Sequence, residues 1–268
     1  MTIRSKSILA IALTFLTIIL LLWVISRFLL LENLNKLESE NALNDLNRLS
    51  NTITYITADL DMITAAWASG NDTYPFIMDQ KEDAAAANPV KSIYRELRLN
   101  YIFFLDMTGR VMYSGAREMD DGAKIPPEQE IIRDLQIEKL IAEMTNTGAK
   151  TTGFIFPAGS PPLIISIKPI LDSRGQEPGI GFLVFGRFMS TAETNKIKQL
   201  TSLAIDFIRV NDDAASDEVK DIYLELKEGT GKLTKPWDAK IISGYMLLLD
   251  IYNEPGVIIK ADIPRSIS

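Results

Sequence analysis

Residues 8–25 read ILAIALTFLTIILLLWVI, and residues 46–67 read LNRLSNTITYITADLDMITAAW. The first stretch holds only Thr14 and Thr17 as polar residues, and Phe28 to Leu31 extend it past Ser26 and Arg27. About 20 apolar residues in a helix span a bilayer core. A threonine hydroxyl can return to its own helix backbone, so two threonines cost little in lipid. In the second stretch Leu46, Leu49, Ile53, Ile56, Leu60, Ile63 and Trp67 alternate by three and four. That spacing predicts one helix with an apolar stripe. No helix breaker separates the two stretches, so the sequence predicts a membrane anchor that continues as a helix into a folded domain.

A cleaved signal peptide is the rival reading of the first stretch. The apolar run exceeds the usual length of such peptides, and Leu30, Leu31 and Leu34 occupy the place of a small-residue cleavage site. Arg4 and Lys6 precede the run with no acid among the first seven residues, which orients the N-terminus toward the cytoplasm. The whole chain carries a net charge of −7. The expected layout is a cytoplasmic tail 1–7, a transmembrane helix 8–31 and a stalk helix 32–69. A sensory core 70–192 and a strand-rich, membrane-proximal part 193–268 follow, both extracytoplasmic.

Composition excludes several classes of function. Net acidity argues against nucleic-acid binding. There is no cysteine, so no disulfide braces the domain. There is no histidine, which removes Ser-His-Asp and Cys-His catalysis, histidine-ligated metals and the phosphoacceptor of a sensor kinase. No cofactor, metal or catalytic residue is expected.

Leu30, Leu34 and Leu37 form a separate stripe near the membrane, in a frame shifted near Asn41. It is the expected seam of a homodimer. The stalk should stop at Gly70-Asn71. Tyr101–Asp106 reads as a buried strand turning at Met107-Thr108-Gly109 into a partner, Arg110–Ser114. One helix is expected over Glu128–Met144, then strands over Thr152–Phe156, Leu163–Leu171 and Gly179–Phe188, and a helix over 191–200. Strands are expected at Ala204–Val210, Ile222–Leu226, Ile241–Ile251 and Gly256–Ile263, with a hairpin turn at Asn253-Glu254-Pro255-Gly256. The fold class is therefore α+β, an antiparallel sheet with helices on one face.

The segment Ala66-Trp67-Ala68-Ser69-Gly70-Asn71-Asp72-Thr73-Tyr74-Pro75-Phe76, the strand Phe104-Leu105-Asp106-Met107-Thr108-Gly109, and the closing segments Leu249–Pro255 and Ile263-Pro264-Arg265 resemble the extracellular CHASE sensory domain of the fourth type. Trp67, Ala68, Asp72, Tyr74 and Phe76 match that family's motif. Ala66, Gly70 and Asn71 depart from its Asp, Trp and Asp. The resemblance implies a PAS/Cache-like sensor of a membrane receptor with a histidine kinase or cyclase output. In such receptors a second membrane helix and the output domain usually follow the Pro-Arg segment.

Candidate ligand contacts are Trp67, Asp72, Tyr74 and Phe76 at the helix top, and Tyr101, Phe103, Tyr113, Phe154, Ser166 and Lys168 on the sheet. The aromatic group could instead pack the stalk onto the sheet. Lys168, which interrupts an apolar strand, could pair an anionic ligand or lie on a solvated edge. Asp106 and Gly109 fit a hairpin turn. Asp120-Asp121 and Asp212-Asp213 fit solvated loops better than a cation site. The expected function is extracytoplasmic sensing of a small molecule, with a scaffold lacking any small ligand, or an anchored two-carboxylate hydrolase, as alternatives.

Overall fold

The computed structural model describes residues 3–70, 93–118, 125–147, 151–171, 179–210, 216–238 and 240–265, with side chains except at 3–12, 27–35 and 143–147. One helix, α1, runs unbroken over Ile3–Ala68. Of the expected span 8–31, side chains are described for 13–26, and every one of them is exposed. Among the described residues no helix is long and apolar enough to cross a membrane.

From Ala42 onward α1 becomes the axis of the folded body. Leu46, Leu49, Ile56 and Leu60 are completely buried, and Ile53 nearly so. Each such side chain contributes about 1.5–3 kcal/mol of burial before conformational entropy is subtracted. Ile63 and Trp67, the last two of the stripe, are partly buried against the same core.

Two antiparallel sheets pack along this axis. The first comprises β1 (Tyr101–Asp106), β2 (Val111–Ala116), β3 (Thr152–Ile155), β4 (Leu163–Ile170) and β5 (Gly181–Phe188), in the order β2-β1-β5-β4-β3. The second comprises β6 (Ala204–Arg209), β7 (Lys232–Pro236), β8 (Ile241–Leu249) and β9 (Pro255–Pro264), in the order β6-β9-β8-β7. α2 (Glu128–Asp134) and α3 (Ile137–Thr147) lie between β2 and β3 in the chain, α4 (Thr191–Thr201) leads into β6, and α5 (Asp217–Glu228) precedes β7.

The first sheet is covered on both faces, not on one as expected. Ile102, Phe104, Ile164, Leu183 and Phe185 join the core shared with α1. Tyr101, Phe103, Leu105, Ile165, Ile167 and Val184 join a second core with Ile131 and Leu135 from α2 and its C-terminal turn and Leu140 from α3. This double cover explains why β1 has no hydrophobic alternation, since a strand buried on both faces needs none.

Two further expectations are corrected. The helix over Glu128–Met144 is two helices, broken at Leu135-Gln136, where Gln136 takes φ 42°. Ile222–Leu226 is not a strand but part of α5. Val219, Ile222, Tyr223 and Leu226 recur at helical spacing, and the Ser216 hydroxyl accepts the Val219 N–H as an N-cap. The strand filling that place is β7, whose alternation of lysine with Leu233 and Thr234 carries little apolar signal.

The β8–β9 hairpin ties the sheets together. Ile251, at its tip, is 4% exposed and buried in the α2/α3 core of the first sheet. Its N–H donates to the Phe154 carbonyl at 2.8 Å, and the Tyr252 hydroxyl donates to the Leu135 carbonyl at 2.6 Å. Gly153 makes this approach possible, because a Cβ there would stand 2.9 Å from the Ile251 Cα. At the opposite end Arg265 donates from Nε to Glu38 Oε2 at 2.9 Å, joining the end of β9 to the lower part of α1.

Candidate functional site

The residues named from sequence do not converge on one place. Asp72, Tyr74 and Phe76 lie outside the described residues, as do Asp120-Asp121 and Asp212-Asp213. The remainder divide between the two faces of the first sheet.

Tyr101 and Phe103 face α2 and α3. Both are fully buried and stack at a centroid distance of 5.7 Å, with the Phe188 ring 5.8 Å from Tyr101. The Tyr101 hydroxyl donates to the Pro126 carbonyl at 2.6 Å, and burial holds that phenol protonated well above its ordinary range. These side chains fill their side of the sheet. Trp67 and Tyr113 belong to the α1 side, where Trp67 lies against Phe185 at 6.5 Å and Tyr113 against Phe104 at 5.8 Å.

Ser166 and Lys168 also face α1, two residues apart on β4, and there they enter a polar network. At Lys168 β4 pairs with β5 alone, because the β3 ladder ends opposite Ser166, but the side chain is turned to α1 rather than left in solvent. Its Nζ is 2.8 Å from Asp61 Oδ1 on α1 and donates to Thr151 Oγ1 at 3.0 Å. Ser166 donates to the same Asp61 oxygen at 3.3 Å, and Thr152 donates to it as well. Burial pushes the Asp61 carboxyl up, but the hydrogen bonds from Lys168, Thr152 and Ser166 and the lysine charge outweigh it. The net pKa is below the ordinary 3.8. Asp61 Oδ2 receives no hydrogen bond among the described residues.

This network borders a cleft of about 490 Å³ in which three elements meet. α1 supplies Ser50, Ile53, Thr54, Thr57, Ala58 and Asp61. The approach to β3 and the strand itself supply Thr151 to Phe154, and the end of β8 with its turn supplies Met246 to Asp250. Phe154, named from sequence, thus forms part of its apolar floor. Asp61 was missed because it sits one residue beyond Leu60 of the apolar stripe and reads as solvent-facing. The signal that could have found it is its pairing with Lys168, which needs the fold.

A second ion pair crosses from α1 to the sheet at Asp59. Arg187 is 5% exposed, donates to Asp59 Oδ2 at 3.1 Å and to the Leu97 carbonyl at 2.8 Å. A larger cleft of about 1110 Å³ lies between β6, the 158–162 loop and the start of α4. Its arginine, Arg209, is spent on the carbonyls of Phe156, Pro157 and Ser160. Asp106 accepts the Thr108 hydroxyl and the Thr108 and Arg110 amides, closing the β1–β2 turn at Gly109, φ 86°.

Known proteins share this fold. The periplasmic domain of Vibrio cholerae LuxQ superposes with a TM-score of 0.52 at 13% identity, covering 83% of this chain and 99% of that one. The extracellular domain of the histidine kinase candidate vpHK1S-Z8 gives 0.53 at 13% identity, covering 86% and 96%. At that identity the likeness establishes the fold. The methanogenesis regulatory histidine kinase FilI of Methanothrix harundinacea (strain 6Ac) is 24% identical over 227 residues, or 82% of this chain. The chain spans only 24% of that kinase's length. The family model for the CHASE4 domain matches residues 55–208, from the C-terminal turns of α1 into β6. With more than half of its residues so matched, the chain belongs to the CHASE4 domain family of sensory domains.

Proposed function

We propose that the chain is the extracytoplasmic ligand-sensing region of a membrane-bound signal-transduction receptor, anchored by residues 8–31. The carrying observation is the continuity of α1. The helix with exposed apolar residues at 13–25 is the same helix whose Leu46 to Leu60 form the core against both sheets. A small molecule that favours one packing of the sheets on α1 also favours one position of the helix at the membrane. Membership in a sensory family and the kinase identity of the FilI relative support this reading, with the output carried elsewhere. The chain has no catalytic role in this proposal.

Pairing in a homodimer completes it. Leu37, Tyr55 and Met62 stand exposed on the outer side of α1, above the stripe begun by Leu30 and Leu34. Single cysteines placed along 30–37 crosslink between protomers under this proposal, and Leu34→Lys with Leu37→Lys abolishes that crosslinking. Externally added protease digests the bulk of the chain on intact cells. Digestion only after the cells are opened removes the extracytoplasmic assignment.

A further inference from the structure

We propose that the cleft between α1, β3 and β8 binds a small organic cation, an ammonium group on a short apolar body. The proposal specifies the ligand of the sensor described above and rests on that reading. Its basis is the donor and acceptor inventory of the lining. The Thr54 hydroxyl proton is committed to the Ser50 carbonyl at 3.0 Å and that of Thr57 to the Ile53 carbonyl at 2.9 Å. Both threonines therefore offer the cleft lone pairs and no proton. Thr151 Oγ1 accepts from Lys168 and keeps its own proton, as does the Ser50 hydroxyl at the cleft wall. Asp61 offers Oδ2. Asp250 spends Oδ1 on the Tyr252 and Glu254 amides, each at 2.8 Å, and its Oδ2 accepts nothing among the described residues.

The charged groups at the cleft are Asp61, Asp250 and, behind Asp61, Lys168, which leaves one net negative charge. The hydrogen bonds from Lys168, Thr152 and Ser166 lower the Asp61 pKa, so its carboxylate is ionised at neutral pH. An anionic ligand would find donors in the Ser50 and Thr151 hydroxyls but would meet a like charge and the lone pairs of Thr54, Thr57 and the two carboxylates. A cation with N–H donors meets complementary partners, and Phe154, Leu248 and Ile53 provide surface for its hydrocarbon part. The occupant would touch the axial helix and both sheets at once, so it can stabilise one of their relative positions.

The test uses the full chain in detergent micelles with n-butylammonium, 1,4-diaminobutane and the uncharged n-butanol as probes. Thermal shift and titration calorimetry are the readouts. The expected result is stabilisation by the two amines and none by the alcohol. Asp61→Asn weakens amine binding about tenfold or more, which corresponds to about 1.4 kcal/mol. Because Asp61→Asn also loosens Lys168, Thr54→Lys is the second variant. Its own ammonium occupies the cleft, so it keeps the native circular dichroism and loses the amine response. Silence with all three probes, equal stabilisation by n-butanol, or an undiminished amine response in both variants overturns the cation site. A broad metabolite screen on the same preparation separates the two claims. A stabilising ligand of another class leaves the sensor reading standing without the cation site, and a blank screen removes both.

Discussion

Replacing Ile251 by alanine tests whether the two sheets are one cooperative body. Ile251 belongs by sequence to the β8–β9 hairpin of the second sheet, yet its side chain is 4% exposed within the core of the first. The substitution deletes three carbon groups. At about 0.8 kcal/mol per buried methylene the transfer loss is roughly 2.5 kcal/mol. The cavity left in that core raises the total to about 3–4 kcal/mol. For a chain of this size that corresponds to a fall in Tm of roughly 6–15 °C. The assay is thermal unfolding followed by tryptophan emission in two variants, one retaining only Trp67 and the other only Trp237. Trp67 packs on Phe185 of the first sheet, while Trp237 lies beneath Lys260 of the second, its ring 4.7 Å from Nζ. Both midpoints should fall together. A fall at one tryptophan alone, or a total loss below about 1 kcal/mol, refutes the interlock, since surface substitutions away from packed features usually stay within about ±0.5 kcal/mol.

Other substitutions probe the remaining contacts. Gly153→Ala forces a Cβ to within 2.9 Å of the Ile251 backbone and should destabilise by about 1–3 kcal/mol in chemical denaturation. Arg187→Ala strands the Leu97 carbonyl and the partly exposed Asp59, for an expected loss of about 2–3 kcal/mol by the same measurement. The Asp61 carboxyl has a lowered folded pKa, so its contribution is complete above the unfolded value of 3.8 and disappears as pH falls through the folded value. Acid titration of stability should therefore lose slope below about pH 5 in Asp61→Asn, and an unchanged profile contradicts the network. Asp106→Ala removes the acceptor of two turn amides and should cost about 1 kcal/mol, with hydrogen-exchange protection lost locally at Thr108 and Arg110.

The axial helix was legible because its signal is local. Leu46 through Trp67 repeat at a fixed spacing, and the structure buries that stripe. β1, β4 and β5 were legible from composition, since each is rich in aromatic and branched apolar residues. α5 was misread because Ile222 to Leu226, taken alone, looks like a short strand. Only the wider frame from Ser216 reveals the helical spacing and its cap. The α2–α3 cover over β1 could not be inferred from β1 itself. Both faces of that strand are apolar, and nothing in the strand states what lies on each.

Site residues were legible as residue types but not as neighbours. Ser166 and Lys168 alternate correctly on one face of β4, and that much follows from strand geometry. Their partner Asp61 is 105 residues from Ser166 in the chain. The stacking of Tyr101 on Phe103 along a single strand was equally hidden, because the sequence does not distinguish an aromatic that closes a core from one that lines an opening.

The seating of Ile251 and Tyr252 between β3 and the α2–α3 layer restricts which motions remain cheap. A flexible joint between the halves would let each rock independently, and a disturbance in the upper half would dissipate there. With the hairpin wedged in place, a hinge opening would have to expose an isoleucine and break the bonds to Phe154 and Leu135. Torsion of the entire body about its central rod disturbs neither, so twist rather than bending is the displacement this architecture conducts with least loss.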